Sequence, residues 1–126
     1  IDHISNIVVM NMVELVETAQ KNQVAISDED IQDEFRLLDM VLVNLRMSFS
    51  VLMTADATAA TKLIERKQTF RVAERKAVNE HLQRLRSDQM LDQEASAIHL
   101  SLLSDMRRIN SLLSSGAYLV AGQKEK

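Results

Sequence analysis

The chain has 126 residues, 46% of them hydrophobic, a formal net charge of −3, no cysteine, no proline and two glycines. Without cysteine there are no disulfides, thiolate metal sites or thiol nucleophiles, and the acidic balance with one Tyr, three Phe and no Trp disfavours nucleic-acid binding by phosphate neutralisation or base stacking. With so little to punctuate the chain, helix is expected throughout, and the length suits one hydrophobic core.

Four amphipathic segments follow in order. Ile4, Val8, Met12, Leu15 and Ala19 recur at three- and four-residue spacing and predict helix A over about 3–22. Ser27 followed by Asp28, Glu29 and Asp30 is a helix start, because a hydroxyl can accept from an orphan amide and acids oppose the positive helix end. Helix B then runs over about 28–54. Its positions Ile31, Phe35, Leu38, Leu42, Leu45, Phe49 and Leu52 form an unbroken heptad seam, and Met40, Val41, Val43, Met47 and Val51 widen it, as in a central helix contacted from two sides. Asp56 is the expected cap of helix C, about 57–86, with Ala60, Leu63, Ile64, Phe70, Ala77, Val78, Leu82 and Leu85 inward. After a break at Ser87 and Asp88, helix D, about 90–121, carries the stripe Leu91, Ala95, Ile98, Leu102, Met106, Ile109, Leu113 and Val120. Short connections leave neighbours antiparallel, so the expected fold is all-α: an antiparallel up-down bundle of four long helices. Apolar runs such as Met40-Val41-Leu42-Val43 are too short to span a bilayer and no signal peptide precedes them, so this stretch is expected to be soluble. The start at Ile1, already in helical pattern, suggests a fragment of something longer, which could be a membrane protein.

Helix C carries the one unusual feature. Lys67, Arg71, Glu74 and His81 fall on the same arc as Ile64, Val78 and Leu85, so its core face turns charged midway. Reflection about the C–D turn sets Arg71 level with Asp105, and reflection about the earlier turns brings Asp39 and Asn11 to a similar height. A polar layer across the waist is expected, with Arg71 and Glu74 paired to each other or to Asp105, since an unpaired buried charge is strongly destabilising. The plainer alternative is a wet waist from which long Lys and Arg stems snorkel. The candidate layer, or anion or partner site, is Lys67, Arg71, Glu74, His81, Arg84 and Asp105.

Catalytic patterns fail on spacing. A di-iron bundle needs Glu-x-x-His on two helices, but His81 follows Glu80 directly and His99 lies five residues after Glu94. Phosphotransfer bundles expose a His with Lys and Gly just downstream, whereas Leu82, Gln83, Arg84 and Leu85 follow His81. His81 and His99 read as half-buried packing residues, and the seven methionines as core filler. No enzyme activity and no cofactor is expected.

Asp2-His3-Ile4-Ser5-Asn6-Ile7 resembles the end of a PhoU-family helix, whose E-x-x-x-D signature closes on Asp-His. The stretch from Arg71 to Leu85, with Glu74, His81 and Arg84-Leu85, is similar to the PhoU-like tails of sodium/phosphate cotransporters, as are Ile98-His99-Leu100 and Leu103 to Ser111. The resemblance covers nearly the whole chain and implies one three-helix unit in B to D, preceded by the last helix of another. It departs from the family where metal would bind: the signature acids align with Arg107 and Ser111, and acidic positions of helix C fall on Lys67 and Arg71. Cations in place of carboxylates argue against a metal held that way and make an anion or acidic partner more plausible. The resemblance implies a cytoplasmic regulatory domain at the inner membrane, working on the transmembrane part of its own sodium-dependent phosphate transporter. It also leaves room for contacts with phosphate-signalling proteins or a homodimer. The alternatives are a free-standing PhoU-like adaptor and an anion-binding sensor.

Overall fold

The computed structural model describes Met10, Val13, Glu14, Glu17, residues 27–87 and residues 93–122. Among the described residues there are three long helices and no strand: α1 (Asp28–Thr54), α2 (Ala57–Ser87) and α3 (Gln93–Ala121). The expectation of four helices is therefore not met by the described residues. Predicted helix A lies outside them apart from Met10, Val13, Glu14 and Glu17, which are helical, and Val13 packs against the core.

Local chemistry explains where α1 and α2 begin. The Ser27 Oγ accepts from the Asp30 amide at 3.2 Å, and three acids occupy the first turn. α1 ends on Ala55, which adopts the left-handed conformation (φ 52°, ψ 33°) and donates its N–H to the Val51 carbonyl at 2.8 Å. One residue later the Asp56 carboxylate accepts from the Thr58 amide at 2.9 Å and starts α2. Arg84 and Arg86 sit in the last turn of α2, where cations suit the negative helix end.

Hydrogen bonds fix how the helices run. Side chains of α1 meet α3 at nearly constant sequence separations of 65 and 66, so these two helices are parallel and in step. Between α1 and α2 the separation falls from 51 at Asp30–His81 to 22 at Asn44–Arg66, as it must for an antiparallel pair.

The inward face of α1 is not the predicted seam. Asp30, Glu34, Leu37, Val41, Asn44, Ser48 and Val51 are buried, a heptad stripe one position earlier than Ile31, Phe35, Leu38, Leu42, Leu45, Phe49 and Leu52. Only Leu38 and Leu45 of the predicted seam are buried, while Phe35 is 49% and Leu52 63% exposed. α1 is contacted by both α2 and α3, as expected of a central helix, but through this shifted stripe rather than the predicted seam. By length and composition alone α1 could cross a membrane. Here it turns its polar stripe toward α2 and α3 instead.

Because that stripe alternates in polarity, the interior is layered. An ionic cluster around Asp30, Glu34, His81 and His99 occupies one end. Next comes an apolar layer of Leu37, Leu38, Val41, Phe70, Ala77, Leu102, Leu103 and Met106. A polar layer follows, where Asn44 Nδ2 donates to Asn110 Oδ1 and Arg66 Nε donates to Asn44 Oδ1, both at 2.7 Å. Val51, Ala60, Leu63 and Ala117 close the other end. Each fully buried large apolar side chain contributes about 1.5–3 kcal/mol, so the apolar layers supply the driving force and the polar ones set register.

Candidate functional site

The ionic cluster forms where the N-terminus of α1, the C-terminus of α2 and the N-terminus of α3 meet. Helical spacing assembles it: Asp30 and Glu34 are one turn apart on α1, His81 and Arg84 on α2, and Ser96 and His99 on α3. Asp30, Glu34, His81 and His99 are all completely buried.

His81 Nδ1 lies 2.8 Å from Asp30 Oδ2, and its Nε2 lies 2.6 Å from Ser96 Oγ. His99 Nδ1 lies 2.5 Å from Glu34 Oε2, while its Nε2 is 3.6 Å from Asp30 Oδ1. The two rings face each other with centroids 4.6 Å apart and a tilt of 45°. Arg84 Nη2 donates to Asp30 Oδ1 and stands 3.7 Å from Asp33 Oδ2. Burial works to push the Asp30 carboxyl up, but the hydrogen bonds from Arg84 and His81 outweigh it and hold the carboxyl below its ordinary value. Burial does push Asp33 up, against the pull of Arg36 at 3.2 Å and of Arg84. Asp30, His81 and His99 can each offer one ligand atom, and these atoms lie within 4.8 Å of one another.

The six predicted residues do not share one site. His81 and Arg84 belong to the ionic cluster. Arg71 and Glu74 line a cleft of about 320 Å³ between α2 and α3 with Arg75, Val78 and Arg107. There Glu74 Oε1 is 3.9 Å from Arg107 Nη1. Lys67, only 1% exposed, places Nζ 4.9 Å from the centre of the Tyr118 ring. Asp105 is half-buried, and the expected pairing of Arg71 with it is absent from the ion pairs of the described residues. The carboxylate that lines the cleft with Arg71 is instead Glu74 of its own helix, and Glu74 stands nearest to Arg107. Asp39 is exposed, and Asn11 lies outside the described residues. Chemically, three guanidinium groups around one carboxylate suit an anion at the rim of the cleft, while the deep cluster suits a cation.

Sequence reasoning missed Asp30, Glu34, Ser96 and His99 as one constellation. Asp30 was legible only as a helix-start acid, and His99 as a packing residue. The available signal was the stripe Asp30, Glu34, Leu37, Val41, Asn44, Ser48 and Val51, whose heptad spacing is as regular as that of its apolar neighbour.

Over 102 residues, 81% of its length, the chain is 37% identical to a protein of Salmonella typhimurium (strain LT2) named "Putative inorganic phosphate export protein YjbB". It is 32% identical over all 126 residues to the protein of the same name in Escherichia coli O157:H7, and 35% identical over 102 residues to that of Escherichia coli strain K12. The chain spans 19–23% of the length of these relatives. No family model matches the chain, and no solved structure matches it.

Proposed function

We propose that the chain is a PhoU-like helical regulatory module of a phosphate-transporting membrane protein, sodium-dependent and carrying this module on its cytoplasmic side, that modulates phosphate flux through contacts rather than chemistry. The observation that carries this reading is the similarity, over four-fifths of the chain, to proteins named for inorganic phosphate export. Two structural features support it. The titratable groups of the ionic cluster are engaged with one another deep inside, which suits a scaffold more than a catalyst. The outer face of α1 leaves Phe35, Leu52 and Met53 exposed, which suits a surface that meets another protein segment.

The test is phosphate flux in cells or vesicles containing the full-length parent protein or a version lacking residues 27–122. Deletion is expected to change the flux several-fold while phosphate still crosses. Equal flux at equal membrane abundance would contradict the regulatory reading.

A further inference from the structure

We infer that Asp30, His81 and His99 form a binding site for a first-row divalent transition metal ion, with Glu34, Ser96 and Arg84 as its outer shell. This goes beyond the regulatory reading and does not depend on it. The site is separate from the family's E-x-x-x-D positions, where Arg107 and Ser111 stand and no metal is expected.

The hydrogen-bond arrangement carries the argument. Because a carboxylate only accepts, the 2.5 Å contact with Glu34 places a proton on His99 Nδ1, and in the neutral ring this leaves Nε2 with a lone pair. That Nε2 is completely buried and has no hydrogen-bond partner among the described residues. What it faces is Asp30 Oδ1 at 3.6 Å, another acceptor. Two lone pairs directed at each other in a dry interior are repulsive unless a cation sits between them. On the other side of the same carboxylate, His81 Nδ1–H donates to Asp30 Oδ2 at 2.8 Å; when a metal ion displaces that proton, the ring takes the Nε2–H tautomer and donates to Ser96 Oγ at 2.6 Å. Each imidazole thus has an outer-shell partner for one nitrogen and directs the other at Asp30, the arrangement that orients histidine ligands at metal centres.

Distance and charge agree. Around a tetrahedral ion with bonds of about 2.0–2.1 Å, ligand atoms stand roughly 3.3 Å apart. The nearest nitrogen-to-oxygen contacts, 2.8 Å from His81 Nδ1 to Asp30 Oδ2 and 3.6 Å from His99 Nε2 to Asp30 Oδ1, lie either side of that value but use different oxygens of the carboxylate. The ligand atoms stand within 4.8 Å of one another, so the side chains draw inward to admit an ion. With neutral imidazoles, the carboxylates of Asp30 and Glu34 outnumber the single guanidinium of Arg84 by one, so the buried cluster attracts a cation rather than an anion. Two imidazoles and one carboxylate favour zinc, iron, cobalt or nickel over magnesium or calcium, which prefer all-oxygen shells. The ion would fasten the ends of all three helices, and binding releases whatever proton the Asp30–imidazole contacts hold.

The test uses the full 126-residue chain, stripped with chelator and titrated with Zn2+, Co2+ or Mg2+. Calorimetry and elemental analysis are expected to give about one Zn2+ or Co2+ per chain. Zn2+ should raise the melting temperature by several degrees and Mg2+ should not. Co2+ should develop the d–d bands of a nitrogen-bound ion. His99→Gln should abolish stoichiometric binding, whereas His3→Ala should keep it. If His99→Gln fails to fold, the Co2+ spectrum of the unmodified chain and the shifts of its His81 and His99 ring nitrogens decide the question. Zinc content far below one per chain with an unmoved melting curve would overturn the inference, as would unchanged binding by folded His99→Gln or loss of binding in His3→Ala.

Discussion

Asn44 shows what a buried polar residue does in this bundle. It is completely buried, donates to Asn110 Oδ1 and accepts from Arg66 Nε, so it joins all three helices at one level. Asn44→Ala leaves a buried amide and a half-buried guanidinium without a partner. The expected loss is about 1–3 kcal/mol in urea unfolding, because an unsatisfied buried group costs more than the hydrogen bond contributed. Replacing Asn44 and Asn110 together by Leu removes both needs, since Arg66 can turn toward solvent. The double variant is expected to be at least as stable as Asn44→Ala. If Asn44→Ala unfolds at the same urea concentration as the unmodified chain, this layer has no structural role.

At the scale of elements, helix ends and helix faces were unequally legible in the sequence. Ser27 with its three following acids and Asp56 mark the starts of α1 and α2 in the residues themselves, and both side chains accept the expected amides. The inward face of α1 was misread because the apolar seam starting at Ile31 is unbroken, while the stripe starting at Asp30 mixes acids and amides with Leu37, Val41 and Val51. Periodicity measures where apolar residues recur; it does not register that buried polar groups find partners on neighbouring helices. The end of α1 offers a direct test of a local rule. Ala55 holds φ at 52°, where an L side chain is strained, so Ala55→Gly is expected to raise stability by about 1 kcal/mol in the same urea assay. A loss of stability would show that the Ala55 methyl group makes contacts that matter more than the strain.

For the whole molecule, the all-helical class followed from composition, because a chain with no proline and two glycines has little with which to build a turn-rich sheet. The site did not follow so easily. Lys67, Glu74 and His81 lie buried on the inner arc of α2, yet what each touches depends on the offset between helices, which the periodicity of a single helix does not specify. The functional reading at this scale rests on the phosphate-export relatives, while the physical account rests on α1 turning its polar stripe inward and ending it in a sealed cluster of imidazoles and carboxylates. Long-range proton–nitrogen correlation spectra of the histidine side chains test that arrangement most directly. The account predicts fixed tautomers for His81 and His99, with a slowly exchanging Nδ1 proton on His99 held by Glu34. Ring nitrogens that average between tautomers and exchange their protons freely with water would contradict it.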